Sequence, residues 1–191
     1  VTKLTTAPDG NIYWFTNLQI ISYQGKINNG STCMALNMRK DWLDKLGLPT
    51  PKTAGEFLDD MRQFREKDVN GSGTADEVLV LDTGSFDNGI AQWFGLGSSI
   101  SGVNINEGKV YSPWYQPGIK EYLKYVAQLV KEGILDTSLI GENTSDQQAQ
   151  KMAENKVGAT YSYCLQTWLE PQVKEQGAQY MPIAMLTGVD G

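Results

Sequence analysis

Apolar residues recur along this chain at two spacings, and the spacing sorts its segments into helices and strands. Starting at Phe57, the apolar positions Leu58, Met61 and Phe64 follow at one, four and seven residues, the pattern of a single helix face. Thr53 and Glu56 precede them in the order of a capping box, so this helix starts there and runs to about Lys67. A second stripe, Ile119, Tyr122, Leu123, Val126, Leu129 and Val130, predicts a long helix opened by Pro117 and stopped at Gly133. Shorter helices are predicted over RKDWLDKLG, which ends at Gly47, over GIAQWFGLG, over the polar SDQQAQKMAENK, and over LQTWLEPQVKEQG, which Pro171 kinks.

Between these lie short apolar runs that read as strands: much of residues 9 to 38, VLVLD, VGATYSYC and QYMPIAML, with VNINEGKVYS as a hairpin around Glu107 and Gly108. Strands alternating with helices at this spacing predict an α/β unit with a mostly parallel sheet flanked by helices.

Composition narrows the function. With 191 residues, 40% hydrophobic and 20% charged, the chain can bury a core as one domain or one large lobe. A net charge of −6 without a basic stripe excludes a nucleic-acid partner, since nothing would displace counterions from a phosphate backbone. No run of about 18 apolar residues exists to span a bilayer. The start on Val1, with no charged or apolar leader pattern, is expected of a processed or excised piece whose targeting signal lies elsewhere. Cys33 and Cys164 are expected as free buried thiols. Histidine is absent, which removes imidazole-dependent nucleophiles and zinc sites and leaves an enzyme only carboxylates.

The stretch DVNGSGTADE, residues 68 to 77, carries candidate chemistry. Counting Asp68 as position 1, oxygens fall at positions 1, 3, 5, 7 and 9, with Gly73 at position 6, where a calcium loop turns sharply. Asp68, Asn70 and Ser72 side chains, the Thr74 carbonyl and Asp76 alternate around such a loop and could surround a hard cation. Position 12, where an EF-hand needs a bidentate Glu, is Leu79, so Glu77 would close the site. A strand follows instead of a second helix, which predicts a structural Ca²⁺ and not a switch. Against this stands a solvated turn rich in Asn, Gly and Ser; Gly73 and the acids at both ends favour the metal.

Taken in order, several blocks resemble extracellular solute-binding proteins of family 1, the sugar-binding and oligosaccharide-binding lipoproteins of ABC transporters. The blocks are DGNIYWF, NMRKDWLDKLGLPTPKTAGEFLDDMRQFREKDVNGSGTADEVLV, GKVYSPWYQPGIKEYLKYVAQLVKEGILD and ENKVGATYS, of which the second is the most specific. The resemblance implies one lobe of a two-lobe periplasmic-binding-protein-like fold of type II. Residues 1–38 would be hinge-region strands entering the lobe, and 39–191 the C-terminal α/β lobe with the calcium loop. It also implies a carbohydrate ligand, permease subunits as partners, a missing N-terminal lobe, an extracellular and lipid-anchored location, and calcium ligands at Asp68, Asn70, Ser72, Thr74, Asp76 and Glu77. Ser72 stands where Asn is more usual.

A sugar offers apolar C–H faces beside hydroxyls, so a cleft for it pairs flat aromatics with polar groups. Position in turns and at strand ends singles out Trp93, Trp114, Tyr161, Tyr163 and Trp168, each of which competes with a core role; Trp42, Phe57 and Phe64 are expected in the core. The competing functions are a carboxylate-dependent glycoside hydrolase or lyase, using a pair such as Asp82 and Asp87, and a calcium-stabilised scaffolding module.

Overall fold

Thr53 opens a helix because its side chain and that of Glu56 satisfy each other's backbone. The computed structural model describes residues 20–23, 26–29, 34–80, 89–97, 100, 104–106, 109–139, 145–163, 173 and 176–189. Two compact units divide the chain, Val1–Cys33 and Met34–Gly191. In the first, the described residues form an antiparallel hairpin of β1 (Ile20–Tyr23) and β2 (Lys26–Asn29).

The second unit begins with β3 (Met34–Arg39) and continues through α1 (Lys40–Leu46) and α2 (Ala54–Glu66) to β4 (Val78–Val80). After the short helical turn α3 (Ala91–Trp93) comes the hairpin of β5 (Asn104–Asn106) and β6 (Lys109–Tyr111). A 3₁₀ turn (Pro113–Tyr115), α4 (Gly118–Lys131), a second 3₁₀ turn (Thr137–Leu139), α5 (Ser145–Ala153), β7 (Val157–Tyr163) and β8 (Tyr180–Pro182) complete the described elements. The predicted capping box is formed: Glu56 N–H donates to Thr53 Oγ1 at 3.1 Å and Thr53 N–H to Glu56 Oε2 at 3.3 Å. Gly47 stops α1 in the left-handed conformation, φ +68°.

The main sheet has the order β4-β7-β3-β8. Here the expectation of a mostly parallel sheet is corrected: β4 pairs with β7 in parallel, but β3 pairs with both β7 and β8 antiparallel. Strands β4, β7 and β8 therefore run one way and β3 runs against them. The cause is that two helices connect β3 to β4. An outward and a returning path bring the chain back to the edge it left, whereas a single crossover helix would have delivered a parallel strand.

The larger core lies where α1, α2 and α4 meet the sheet, around Trp42, Phe57, Met61, Phe64, Leu79, Tyr125 and Leu129. Trp42 and Phe64 meet edge to face at 5.3 Å, and both Phe57 and Phe64 are fully buried, each contributing about 2 kcal/mol. Gly158 of β7 lets this pair approach the sheet, since a Cβ there would lie 3.0 Å from the Phe64 ring and 3.2 Å from Trp42. A smaller cluster gathers Met152, Val157, Val173, Ala178 and Tyr180.

On α4 the buried face is Tyr122, Tyr125 and Leu129, while Leu123 and Val130 are exposed. The face is thus turned from the expected stripe toward Tyr125, whose hydroxyl donates to the Ala54 carbonyl at 2.7 Å and whose ring packs on Phe94. Two neighbouring apolar stripes are equivalent by period alone, and the tertiary partner chooses between them. Among the described residues no helix is long and apolar enough to cross a membrane. The predicted strand at 9–15, the segment 164–172, both cysteines, Asp82 and Asp87 lie outside the described residues.

Candidate functional site: a cation loop and an aromatic pocket

The segment after α2 leaves the helix through Asp68 itself, which adopts φ +46°, an unusual conformation for a residue other than glycine. Gly71 and Gly73 follow at φ +75° and +82°, and these left-handed residues curl the loop. Ser72 Oγ becomes its hub. It lies 3.4 Å from Asp68 Oδ1, 3.0 Å from the Thr74 carbonyl, 3.1 Å from Thr74 Oγ1 and 3.0 Å from Asp76 Oδ1. One hydroxyl hydrogen cannot satisfy so many acceptors, and a cluster with more oxygen lone pairs than protons is what a hard cation recognises. Oxygens sharing a cation at about 2.4 Å sit roughly 3–3.4 Å apart, the spacing found here.

Glu77 closes the loop from inside. It is fully buried; Oε1 accepts the Asn70 N–H at 3.3 Å, and Oε2 has no hydrogen-bond partner. Burial pushes its carboxyl up, two backbone N–H groups act against this, and Asp76 and Asp68 add repulsion. Asp76 goes the other way: despite its own burial cost, bonds from Asn70 and Ser72 and the nearby Lys156 ammonium hold it low. An orphaned buried carboxylate oxygen beside an oxygen-rich hub fits a calcium-type ion. Leu79 fills position 12 from within β4, fully buried, so no second helix could swing. Among the described residues no group of three or more His, Cys, Asp and Glu side chains gathers as a metal site, so Asp68, Asp76 and Glu77 do not converge on one point by themselves, and the oxygens that do cluster include the Ser72 hydroxyl and the Thr74 carbonyl.

Contacts from distant segments hold the loop. Lys45 Nζ donates to the Val69 carbonyl at 2.7 Å, Arg65 Nη1 to the Glu77 carbonyl at 2.8 Å, and Asn70 Nδ2 to the Asn155 carbonyl at 3.1 Å. Sequence reasoning missed these supports, since nothing local to Lys45, Arg65 or Asn155 signals them.

At the opposite end of the sheet lies a pocket of about 110 Å³. Ala35 and Leu36 at the start of β3, Tyr161 near the end of β7, Ile183 to Met185 beyond β8, and Gly89, Gln92 and Trp93 around α3 line it. Because β3 is inverted, its beginning joins the carboxyl ends of β7 and β8, the end of an open α/β sheet that receives ligands. From Val157 to Tyr161 the strand rises about 13 Å, so loop and pocket occupy opposite ends.

Of the five expected sugar-contact residues, the structure brings two together in this pocket, Trp93 and Tyr161. Trp93 is also a core residue, 6% exposed, packed edge-on against Phe57 at 5.6 Å and Tyr125 at 6.1 Å. Trp114 is exposed on the 3₁₀ turn and does not line the pocket. Tyr163 pairs through its backbone with Met34, its side chain lies outside the described residues, and so does all of Trp168. Gln92 and Met185 had no sequence signal beyond adjacency to Trp93 and to the last strand.

An α/β lobe with its pocket at the strand ends is the architecture of a solute-binding protein, and the comparisons agree. No family model matches the chain. It is 30% identical over 193 residues to the fructooligosaccharide ABC transporter substrate-binding protein FusA of Streptococcus pneumoniae serotype 4, covering 98% of this chain and 35% of FusA. It is 27% identical over 111 residues to the lipoprotein LipO of Bacillus subtilis, covering 54% of this chain and 21% of LipO. The fold matches FusA in complex with kestose, with a TM-score of 0.71 and 27% identity over 99% of this chain and 38% of that one. An EF-hand mutant of FusA matches at 0.70 with 26% identity over 98% and 38%. An HMO-binding solute-binding protein of Bifidobacterium longum infantis matches at 0.74 with 25% identity over 98% and 39%. FusA and the Bifidobacterium protein are thus solute-binding proteins of ABC transporters, the class the resemblance implied, and the chain spans about a third of FusA's length.

Proposed function

We propose that this chain is part of the carbohydrate-binding component of an ABC transporter, which captures a sugar or oligosaccharide outside the cell and hands it to a membrane permease. The observation that carries the reading is the meeting of Trp93 and Tyr161 at the carboxyl ends of β7 and β8, on a lobe homologous to carbohydrate-binding proteins. The pocket is well below the roughly 300–1,000 Å³ of an enclosing ligand site, which fits one wall of a cleft whose other wall is a second, N-terminal lobe. Tyr161 contributes an aromatic ring and a hydroxyl to the lining and Gln92 an amide, while Gly89 packs on the Tyr161 ring so closely that a Cβ there would lie 3.3 Å from it.

In the same reading residues 68–77 hold a structural calcium ion through Asp68, Asn70, Ser72, the Thr74 carbonyl, Asp76 and Glu77. Bound there, calcium would supply positive charge that neutralises the loop's acids and relieves the orphaned Glu77 oxygen, fastening α2 to β4. The FusA EF-hand mutant and the lipoprotein LipO support a calcium loop and a lipid anchor in this kind of protein. Capture and release require no bond to be made or broken, so the protein works as a receptor and not as an enzyme.

Calorimetric titration of the whole protein with neutral fructo-oligosaccharides and milk oligosaccharides tests this reading. Tyr161→Ala should weaken binding about tenfold or more, the worth of a lost aromatic contact, while Trp114→Ala leaves it unchanged. Release of shortened sugar products on prolonged incubation would overturn the receptor reading.

A further inference from the structure

Asn155 lies in the turn between α5 and β7 and adopts φ +58°. Asparagine tolerates this left-handed conformation better than most residues, but it still needs holding there. Its side-chain Oδ1 accepts from Arg39 Nη1 at 2.7 Å, across 116 residues of chain. Arg39 is itself immobilised. It is 2% exposed, its Nε and Nη2 both donate to the Asp41 carboxylate at 2.8 and 2.7 Å, and its guanidinium lies 4.1 Å over the Trp42 ring and 5.6 Å from that of Tyr180. Asp41 in turn accepts the Gln179 N–H at 3.0 Å. A rigid, buried group thus fixes the turn at Asn155.

The other face of that turn meets the loop. The Asn155 carbonyl accepts from Asn70 Nδ2 at 3.1 Å, and the same nitrogen donates to Asp76 Oδ1 at 2.9 Å. The amide oxygen then points the other way and accepts the Ser72 N–H at 2.9 Å. A side-chain amide has two ends of similar shape and opposite polarity, and only the oxygen can ligate a cation.

We propose that Asn155, held by Arg39, is a positioning residue for the cation loop: its carbonyl, together with Asp76 Oδ1, holds the Asn70 amide nitrogen, so that the amide oxygen is the end turned to the Ser72 side of the loop. The inference rests on reading residues 68–77 as a calcium loop, and it explains why an asparagine at position 70 suffices without a symmetric carboxylate.

Calcium titration calorimetry on the whole protein, in an Asn70 and an Asn70→Asp background, tests it. N155G keeps the left-handed backbone but lets go of Arg39, and it should weaken calcium about 10–100-fold. In the N70D background an oxygen faces inward whichever way the group turns, so N155G should change affinity by less than about threefold. N155D, which retains an acceptor for Arg39, should bind within about threefold of the unmodified protein. An equal loss in both backgrounds means that Asn155 only supports the fold and overturns the proposal, as does no loss in either. Should N155G not fold, R39Q, which leaves the turn's backbone untouched, is read in its place by the same criteria. Failure of the unmodified protein to bind calcium would instead sink the loop reading itself.

Discussion

Replacing Glu77 by Gln should change this protein's stability by different amounts with and without calcium, and that difference follows from one buried oxygen. With a chelator, Glu77 is a fully buried carboxylate whose Oε1 accepts the Asn70 N–H at 3.3 Å and whose Oε2 has no hydrogen-bond partner. A buried group left without a partner costs about 1–3 kcal/mol, and more when charged. Glutamine keeps the shape and an acceptor for Asn70 while removing the charge, so the chelated variant should melt no lower than the unmodified protein. At about 2–4 °C per kcal/mol for a chain of this size, it should melt up to roughly 10 °C higher. With calcium at a hundred times its dissociation constant, the unmodified protein gains about 2.7 kcal/mol. If losing a carboxylate ligand weakens binding about a hundredfold, the variant gains only about 0.4 kcal/mol at the same concentration. Calcium should therefore raise the unmodified melting temperature by roughly 5–9 °C more than that of Glu77→Gln. Differential scanning calorimetry in EGTA and in excess calcium measures both. Parallel shifts under the two conditions would refute the argument, and a large drop in EGTA would show that protein groups already satisfy Glu77.

Other outcomes follow from particular contacts. Burial, with repulsion from Glu56 and Asp59, raises the Asp60 carboxyl from 3.8 to about 7. This group favours the folded state fully only below its unfolded value near 4 and loses that contribution as pH rises toward 7. Asp60→Asn should thus gain on the unmodified protein across that window, by at most about 4 kcal/mol in urea titrations at fixed pH, and a constant difference would refute the assignment. Gly158→Ala would press a methyl group onto Phe64 at 3.0 Å, so denaturant unfolding should show a loss of about 1–3 kcal/mol. Asp68→Gly relieves a φ of +46° but removes the acceptor of the Gly73 N–H at 2.9 Å, so it should leave stability in EGTA within about 1 kcal/mol while abolishing the stabilisation by calcium; scanning calorimetry under both conditions shows whether the two effects part.

Much of the candidate cation site was legible because its information is local. Asp68 to Glu77 are ten consecutive residues, the turn needs glycine where Gly73 stands, and the capping box ahead of α2 is written within four positions. The aromatic pocket was only partly legible. Aromatics at strand ends could be named, but position along the chain cannot tell an exposed Trp114 from a Trp93 that serves core and pocket at once.

Among the described residues, the amino-acid order by itself determined where α2 starts, where Gly47 stops α1, and which oxygens alternate along residues 68–77, because capping, periodicity and turn chemistry act within a few residues. Only the tertiary structure decided that β3 runs against its neighbours, that the start of β3 joins the ends of β7 and β8 to form a pocket, and that Asn70 leans on a carbonyl 85 residues away. Those outcomes depend on where the chain returns after its crossovers, and a return path is chosen by burying whole faces together, a property of no single segment.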